Sequence, residues 1–440
     1  MTETNPVYPF FHPATKGFRF TILAFVSMLT LGTYFAYDIV AGIADSLMKN
    51  MGASESNIGV MYSMYSVAAI IAVFVAGFLI DILGTRKASM IFSITVVIGA
   101  AIVALSASTN SLTMLYIGRF IFGAGSEPLV VAQSSILARW FKGKELALSF
   151  GIALTVSRLG TLFALNTGEL ISTNYGGPFY ALLAAMFMCI LSLLANIVYV
   201  GMDRKGERIL NLKKVASEDK VVLKDIKYFK SSFWYVTILC VTFYSAIFPF
   251  TALSLKFFNE KWGVPLVIAH SGGFLYKIFE NFLHMFNTAG GIASIIIFAS
   301  MIFAPFAGKF VDKMGKRATL MIFGSLLMIP SHLLMGVTNI FPVIPMICLG
   351  AAFVLVPASM WPSIPLVVKK ERVGTAFGVM TAIQNIGLMV FPILNGKLRM
   401  LTGSYTASQI MFASLGVIGL IFAILLRRAD KRAGRILEKP

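Results

Sequence analysis

The sequence predicts an all-α membrane protein of twelve transmembrane helices arranged as two pseudo-symmetric bundles of six. Three observations carry that prediction: composition, the lengths of the apolar runs, and an internal repeat. Of 440 residues, 58% are hydrophobic and 13% charged, and mean hydropathy is +0.83, beyond what a chain with a water-facing surface reaches.

A helix crosses a hydrocarbon layer ~30 Å thick with about 20 largely apolar residues. Runs of that length predict helices over 19–45, 56–81, 87–107, 112–138, 145–171 and 178–201. A second set falls over 232–258, 288–312, 318–337, 341–367, 373–400 and 406–427. The stretch before Arg19 holds Pro6, Pro9, His12 and Pro13 and has no h-region with a small-residue cleavage site, so the first helix is expected to be the insertion signal.

The formal net charge of +18 does not describe a nucleic-acid surface, because the cations alternate between loops. Lys16 and Arg19, Arg86 and Lys87, Arg139 to Lys144, 203–230, Lys313 to Arg317, Lys369 to Arg372, and Arg427 to Lys439 are rich; 46–55, 108–111, 172–177 and 338–341 are poor. Retention of basic loops on the cytoplasmic side then places both termini there and requires an even number of crossings. Lys397, Arg399 and the charges of 259–287 break the alternation.

The expected organisation is a cytoplasmic N-terminus 1–18, a bundle 19–201, a cytoplasmic linker 202–231, a bundle 232–427 carrying a non-cytoplasmic insertion 259–287, and a cytoplasmic tail 428–440. Within the linker, Leu223–Phe229 reads as a short interfacial helix. In the insertion, Phe274, Ile278, Phe282, Leu283 and Phe286 recur at helical spacing among Lys277, Glu280 and His284, which predicts an amphipathic interfacial helix.

The repeat is G-x-x-x-D-x-x-G-x-[KR], at Gly77, Asp81, Gly84 and Arg86 after the second span and at Gly308, Asp312, Gly315 and Arg317 after the eighth. Each first glycine would let helices approach closely, the aspartate would end a helix, and the basic residues would anchor the turn at the headgroups. Ile82 stands where a basic residue is commoner; the second copy keeps Lys313.

These strings, with Arg119-x-x-x-Gly123-x-Gly125 in the fourth span, resemble the signature of the major facilitator superfamily over essentially the whole chain. Within it the chain resembles the lysosomal dipeptide-transporter branch, the group of major facilitator superfamily domain-containing protein 1. The strings concerned include Gly32-Thr-Tyr34-Phe-Ala-Tyr-Asp38, Glu127-Pro-Leu-Val-Val-Ala-Gln133, Arg158-Leu-Gly160, Phe248-Pro-Phe250, Trp361-Pro362 and Gln384-Asn385. The resemblance implies a major facilitator fold and a secondary transporter of small zwitterionic solutes, dipeptides first, working by alternating access. It also implies that Gly77, Asp81, Arg86, Arg119, Gly308, Asp312 and Arg317 act in conformational change, with the signature aspartates and arginines stabilising the outward-open state. The N-terminus lacks an acidic dileucine string and the 263–287 insertion is longer than the resemblance to that branch implies, so the expected location is the plasma (inner) membrane rather than a lysosome.

Charge inside a span costs several kcal/mol and marks a cavity or a partner. Asp38, Glu127 and Arg158 are such charges, and Glu127 and Arg158 lie near the middles of the fourth and fifth predicted spans, where they can meet. Arg158 would grip a substrate carboxylate and Glu127 its ammonium; a structural salt bridge is the competing reading. Asp38 reads as a proton or ammonium acceptor, or else as a gate or helix-end residue. Tyr34, Tyr37, Tyr62 and Tyr65 on the first two spans, and Tyr244, Trp361, Gln384 and Asn385 in the second half, are the candidate contacts to a peptide's amides. Pro249, Pro357 and Pro362 would interrupt helices seven and ten.

No nucleophile–base pair, phosphate loop or metal-ligand cluster is legible, and Cys189, Cys240 and Cys348 have neither disulfide nor zinc spacing. The expectation is therefore no enzyme, no cofactor and no metal. The expected partners are the bilayer and a small solute; the chain reads as a monomer, with no accessory subunit predictable. A transporter of organic anions or drugs, and a receptor-like homologue that no longer cycles, are the alternatives. Uniport is favoured over proton symport because the stretch from Tyr34 to Asp38 on the first helix offers one carboxylate only.

Overall fold

A computed structural model describes residues 12–141, 145–210, 223–268, 273–369 and 372–439. Its elements are helical throughout the described residues. In the first half these are α1 (Lys16–Gly42), α2 (Ala44–Met51), α3 (Glu55–Ser108), α4 (Leu112–Phe141), α5 (Leu146–Tyr175) and α6 (Pro178–Leu210). The second half holds α7 (Ser231–Trp262), α8 (Phe274–Leu283), α9 (Ala289–Ala293), α10 (Ile295–Met314), α11 (Arg317–Val337), α12 (Val343–Met360), α13 (Ile364–Val367), α14 (Val373–Thr402) and α15 (Thr406–Arg432).

Among the described residues, ten helices are long and apolar enough to cross a membrane. One of them, α3, has 54 residues and breaks only at Gly84 (φ 77°, ψ 160°), a conformation glycine adopts without a Cβ penalty. The predicted helices 56–81 and 87–107 thus join through a single-residue kink with no loop. Twelve crossings are reached by dividing α3 there and by counting the 20-residue α10. A Ser54–Asn57 capping box starts α3, satisfying backbone donors that lipid could not.

Helix α6 continues to Leu210, so residues 202–210 of the expected linker are helical. Its last turns are held by ion pairs: Asp203 is fully buried and takes Arg139 at 3.0 Å, while Arg86 reaches Glu207 at 2.5 Å. Leu223–Tyr228 forms a 3-10 turn and docks on the second half, where Asp225 pairs with Arg372 at 3.4 Å.

Within the first half α1 packs on α5 and α6, and α3 on α4; within the second, α7 packs on α14 and α15, and α10 and α11 on α12. Large apolar side chains such as Ile98, Phe187, Phe323 and Ile347 are exposed, as a lipid-facing surface requires. The halves meet chiefly through α3 with α14 and α5 with α10.

That meeting is concentrated away from the face where α1 starts and α15 ends, here called the terminal face. Ser63 donates to the Met389 carbonyl, Asn166 to Ser294 Oγ at 2.7 Å, and Lys256 reaches Glu55 at 3.0 Å. A Cβ on Gly59 would strike the Pro392 backbone, so the absence of a side chain is what lets α3 and α14 touch there. The close approach expected at Gly77 and Gly308 is not made: a Cβ added to either meets nothing within 4 Å among the described residues. Both lie toward the terminal face, whereas the halves join at the other.

The amphipathic helix expected in the insertion is α8. Its Asn281 is buried and donates to the Asn166 carbonyl at 2.6 Å, and Lys277 bonds Asn174 at 2.9 Å, so it lies across the end of α5. Leu275, Phe279 and Leu283 are exposed at four-residue spacing. Arg399, which broke the charge alternation, is answered by Glu260 at 2.8 Å.

Candidate functional site

Beneath the joined end, between the halves, lies a cavity of about 190 Å3. Its charged lining is Asp38, Glu127 and Arg158; Tyr34, Tyr37, Tyr65, Tyr244 and Gln384 add polar tips. These residues come from α1, α3, α4, α5, α7 and α14, so both bundles supply the walls.

Glu127 and Arg158 line the same cavity but do not pair: the expected meeting of the two charges does not occur within 4.0 Å. Tyr65 Oη donates to Glu127 Oε1 at 2.8 Å and lies 3.2 Å from Ser126 Oγ. Arg158 instead stands between aromatic faces, 5.5 Å from the Tyr34 ring and 5.1 Å from that of Phe353, and its buried Nε has no hydrogen-bond partner. Cation–π contact steadies a guanidinium without using its N–H donors, so the planar fork remains available. The salt-bridge reading of these two residues is therefore set aside by the geometry.

Asp38 is buried and accepts from Thr161 Oγ1 at 2.6 Å; Thr161 lies one turn beyond Arg158 on α5, so one helix face organises both. Tyr37 stacks edge-on with Tyr62 and Tyr65 at 5.1 and 4.7 Å. These three rings enclose Arg119, whose guanidinium lies 5.2–5.5 Å from each and donates to the Ala36 and Met61 carbonyls at 3.1 and 3.3 Å. Arg119 thereby ties α4 to α1 and α3 behind the cavity wall.

Several candidates fall outside the lining. Tyr62 packs behind Tyr37 beside Arg119. Asn385 is buried and returns its amide to the Thr381 carbonyl at 3.1 Å, the local bond a polar side chain makes when its helix face is turned away from solute. Trp361 sits at the 3-10 break between α12 and α13 and donates to Tyr244 Oη at 3.0 Å, so it positions a lining residue. Gln384 lines the cavity and accepts a 3.6 Å bond from Cys240 Sγ.

Sequence reasoning missed Thr33, Ser126, Val130, Phe248 and Leu388 as lining residues, together with Thr161 and Phe353. Hydroxyl and apolar residues are ordinary in spans, and only helix rotation distinguishes those that face a cavity. Phe248 alone had a signal, its place beside Pro249 within α7.

The signature residues lie at the terminal face. Asp81 is exposed, Arg86 pairs with Glu207 and, at 3.6 Å, with Asp203, both of its own half. Arg317 bonds the Lys439 carbonyl at 3.2 Å; the Asp312 side chain lies outside the described residues. Among the described residues no group of three or more His, Cys, Asp or Glu could hold a metal ion.

A profile described as Major Facilitator Superfamily matches residues 26–279 and 264–439. The chain is 32% identical over 422 residues to the lysosomal dipeptide transporter MFSD1 of Danio rerio, covering 94% of this chain and 87% of that protein. To its Homo sapiens counterpart it is 31% identical over 432 residues, covering 96% and 88%. Its fold matches a crystal structure of the nucleoside transporter NupG with TM-score 0.68 at 13% identity, covering 92% of this chain and 98% of that one. The paired bundles, the interfacial cavity and these likenesses agree: the chain belongs to the Major Facilitator Superfamily and is an integral, multi-pass membrane transporter, not an enzyme.

Proposed function

We propose that the chain moves small zwitterionic solutes, dipeptides above all, by alternating access through the cavity between its halves. The observation that carries this reading is Arg158, a cation with no ion pair among the described residues that lines one cavity together with two carboxylates, Asp38 and Glu127. A solute with a carboxylate at one end and an ammonium at the other answers both signs. A purely anionic solute would leave Asp38 and Glu127 facing it, which costs binding energy. The volume of about 190 Å3 is below the ~300 Å3 at which drug-sized sites begin, which favours a small dipeptide over a bulky drug.

In this account Arg158 takes the carboxylate through its fork, Glu127 with Tyr65 takes the ammonium, and Tyr34, Tyr244 and Gln384 meet the amide. The dipeptide named for the MFSD1 relatives agrees with that charge arrangement. Their lysosomal naming weighs against the plasma-membrane expectation; imaging a tagged chain against compartment markers separates the two. Uniport is the proposed mode, tested by uptake with and without an imposed pH gradient.

The substrate test is thermal unfolding of the purified chain against dipeptides, single amino acids, sugars and organic anions, with Arg158→Ala alongside. A ligand at 100 times its Kd stabilises by about 2.7 kcal/mol. Dipeptide shifts that vanish in the variant support the reading; shifts with sugars or organic anions alone overturn the substrate.

A further inference from the structure

At the terminal face α15 ends in a run of cations beside the start of α11. Arg427, Arg428, Lys431 and Arg435 line a cavity of about 370 Å3, whose apolar wall is Ile322 of α11 and Ile424 of α15. A chain end with four cations would ordinarily splay into solvent, but this one is folded into a fixed shape.

The turn after α15 passes through Gly434 and Arg435 at φ 95° and 60°, a reversal that glycine makes without strain. Buried Asp430 holds it: its carbonyl accepts from the Arg435 N–H at 2.8 Å and its Oδ1 from the Leu437 N–H at 2.9 Å. The returning strand then caps α11, whose Arg317 N–H donates to the Leu437 carbonyl at 2.8 Å. Glu438 accepts from the Thr319 N–H at 2.9 Å and its hydroxyl at 2.8 Å, supplying the anionic cap that a helix N-terminus favours.

Glu438 is the one carboxylate that lines the pocket, and both of its oxygens are engaged in that cap. Among the described residues, none of the four cations has a carboxylate oxygen within 4.0 Å. The pocket thus gathers four cations against one carboxylate that is already hydrogen-bonded elsewhere. Deeper toward the middle of the membrane, Leu326 continues the Ile322 face of α11 and Ile421 the Ile424 face of α15, and both are exposed. Charge sits at the headgroup level and an apolar track runs from it along two helices, an arrangement matched to a ligand with a phosphate at one end and hydrocarbon at the other.

We propose that this pocket binds the headgroup phosphate of an anionic phospholipid in the leaflet at the terminal face, with acyl chains lying along Ile322, Leu326, Ile421 and Ile424. The site is separate from the solute cavity and stands whether or not the solute is a dipeptide. A bound lipid would bridge α11 and α15 where the tail already joins them, so its first effect is on the stability of the second half.

The test is thermal unfolding of the full chain in detergent, titrated with phosphatidylglycerol, phosphatidylcholine or inorganic phosphate, for wild type and for Arg428→Gln/Lys431→Gln/Arg435→Gln. Phosphatidylglycerol should raise the midpoint and phosphatidylcholine should not. Neutralising three cations should weaken the phosphatidylglycerol effect roughly 100-fold, and moderate salt should weaken it in the wild type. An unchanged midpoint of the variant without lipid shows that it folds. Equal responses to the two lipids, or an undiminished response in the variant, would overturn the proposal. An equal response to inorganic phosphate would replace the lipid by a free anion and overturn the lipid assignment.

Discussion

Glu55 at the start of α3 and Lys256 in α7 join the two halves of the chain through a 3.0 Å ion pair, with both side chains mostly shielded. Lys256 also lies 3.5 Å from Glu260, which pairs with Arg399 at 2.8 Å, so the pair is one link in a chain of four alternating charges. All four sit on the side of the cavity away from the terminal face. Opening that side must break the Glu55–Lys256 link and leave the other charges paired within their own half. Lys256→Met should therefore favour the opened state by about 1 kcal/mol, roughly fivefold in population. Maleimide labelling of Ser63→Cys, buried where α3 meets α14, should accelerate by that factor when Lys256→Met is added; an unchanged rate would remove the ion pair from the gate.

Gly59 offers a steric counterpart. Because a Cβ there would overlap the Pro392 backbone, Gly59→Val cannot leave the closed end intact, and backbone overlap is not relieved by a rotamer change. The variant should fold, since neither bundle needs that contact internally, yet solute counterflow in liposomes should fall at least about tenfold with the resting state shifted toward the open end. Normal counterflow would mean that the two helices separate there without cost.

At the cavity, Arg158→Lys tests geometry apart from charge. Lysine keeps the cation but loses the planar fork and the flat contact with Tyr34 and Phe353. Dipeptide affinity should drop about tenfold or more in Arg158→Lys and beyond detection in Arg158→Ala, while Asn385→Ala, which alters a residue bonded to its own helix, should leave affinity within about twofold. Equal effects of Arg158→Lys and Asn385→Ala would deny Arg158 a binding role.

Much of the architecture was legible because lipid imposes two strong rules, run length and internal satisfaction of the backbone, and because the repeated string marks equivalent places in two halves. The charged part of the site was legible for the same reason: Asp38, Glu127 and Arg158 are expensive where they stand. What escaped was set by helix rotation and by contacts between elements distant in sequence. Nothing in the string around Thr33, Val130 or Leu388 distinguishes a cavity face from a lipid face. Gln384 and Asn385 looked equivalent as neighbours, yet neighbours on a helix point about 100° apart, and only Gln384 reaches the cavity. The charge run after Met202 read as a loop, because its helical partners, Arg86 and Arg139, lie more than 60 residues earlier in the chain.

That charge run yields the last prediction. Asp203 is fully buried and meets Arg139 at 3.0 Å, Trp140 Nε1 at 2.7 Å and Arg86 at 3.6 Å, so it draws α3, α4 and α6 together at the terminal face. Removing one partner of a buried pair leaves the other charge uncompensated, at about 3–5 kcal/mol. Asp203→Asn keeps the shape and the indole bond but takes from Arg139, itself buried, its 3.0 Å carboxylate partner, Glu207 lying farther off at 3.6 Å. The melting temperature of the purified protein should fall by several degrees, and Glu207→Gln, at a half-exposed position on the same cluster, should cost much less. If the two variants melt alike, the buried carboxylate is not what organises this corner, and the half-exposed Arg86–Glu207 pair would have to carry α6 past the end of its apolar run.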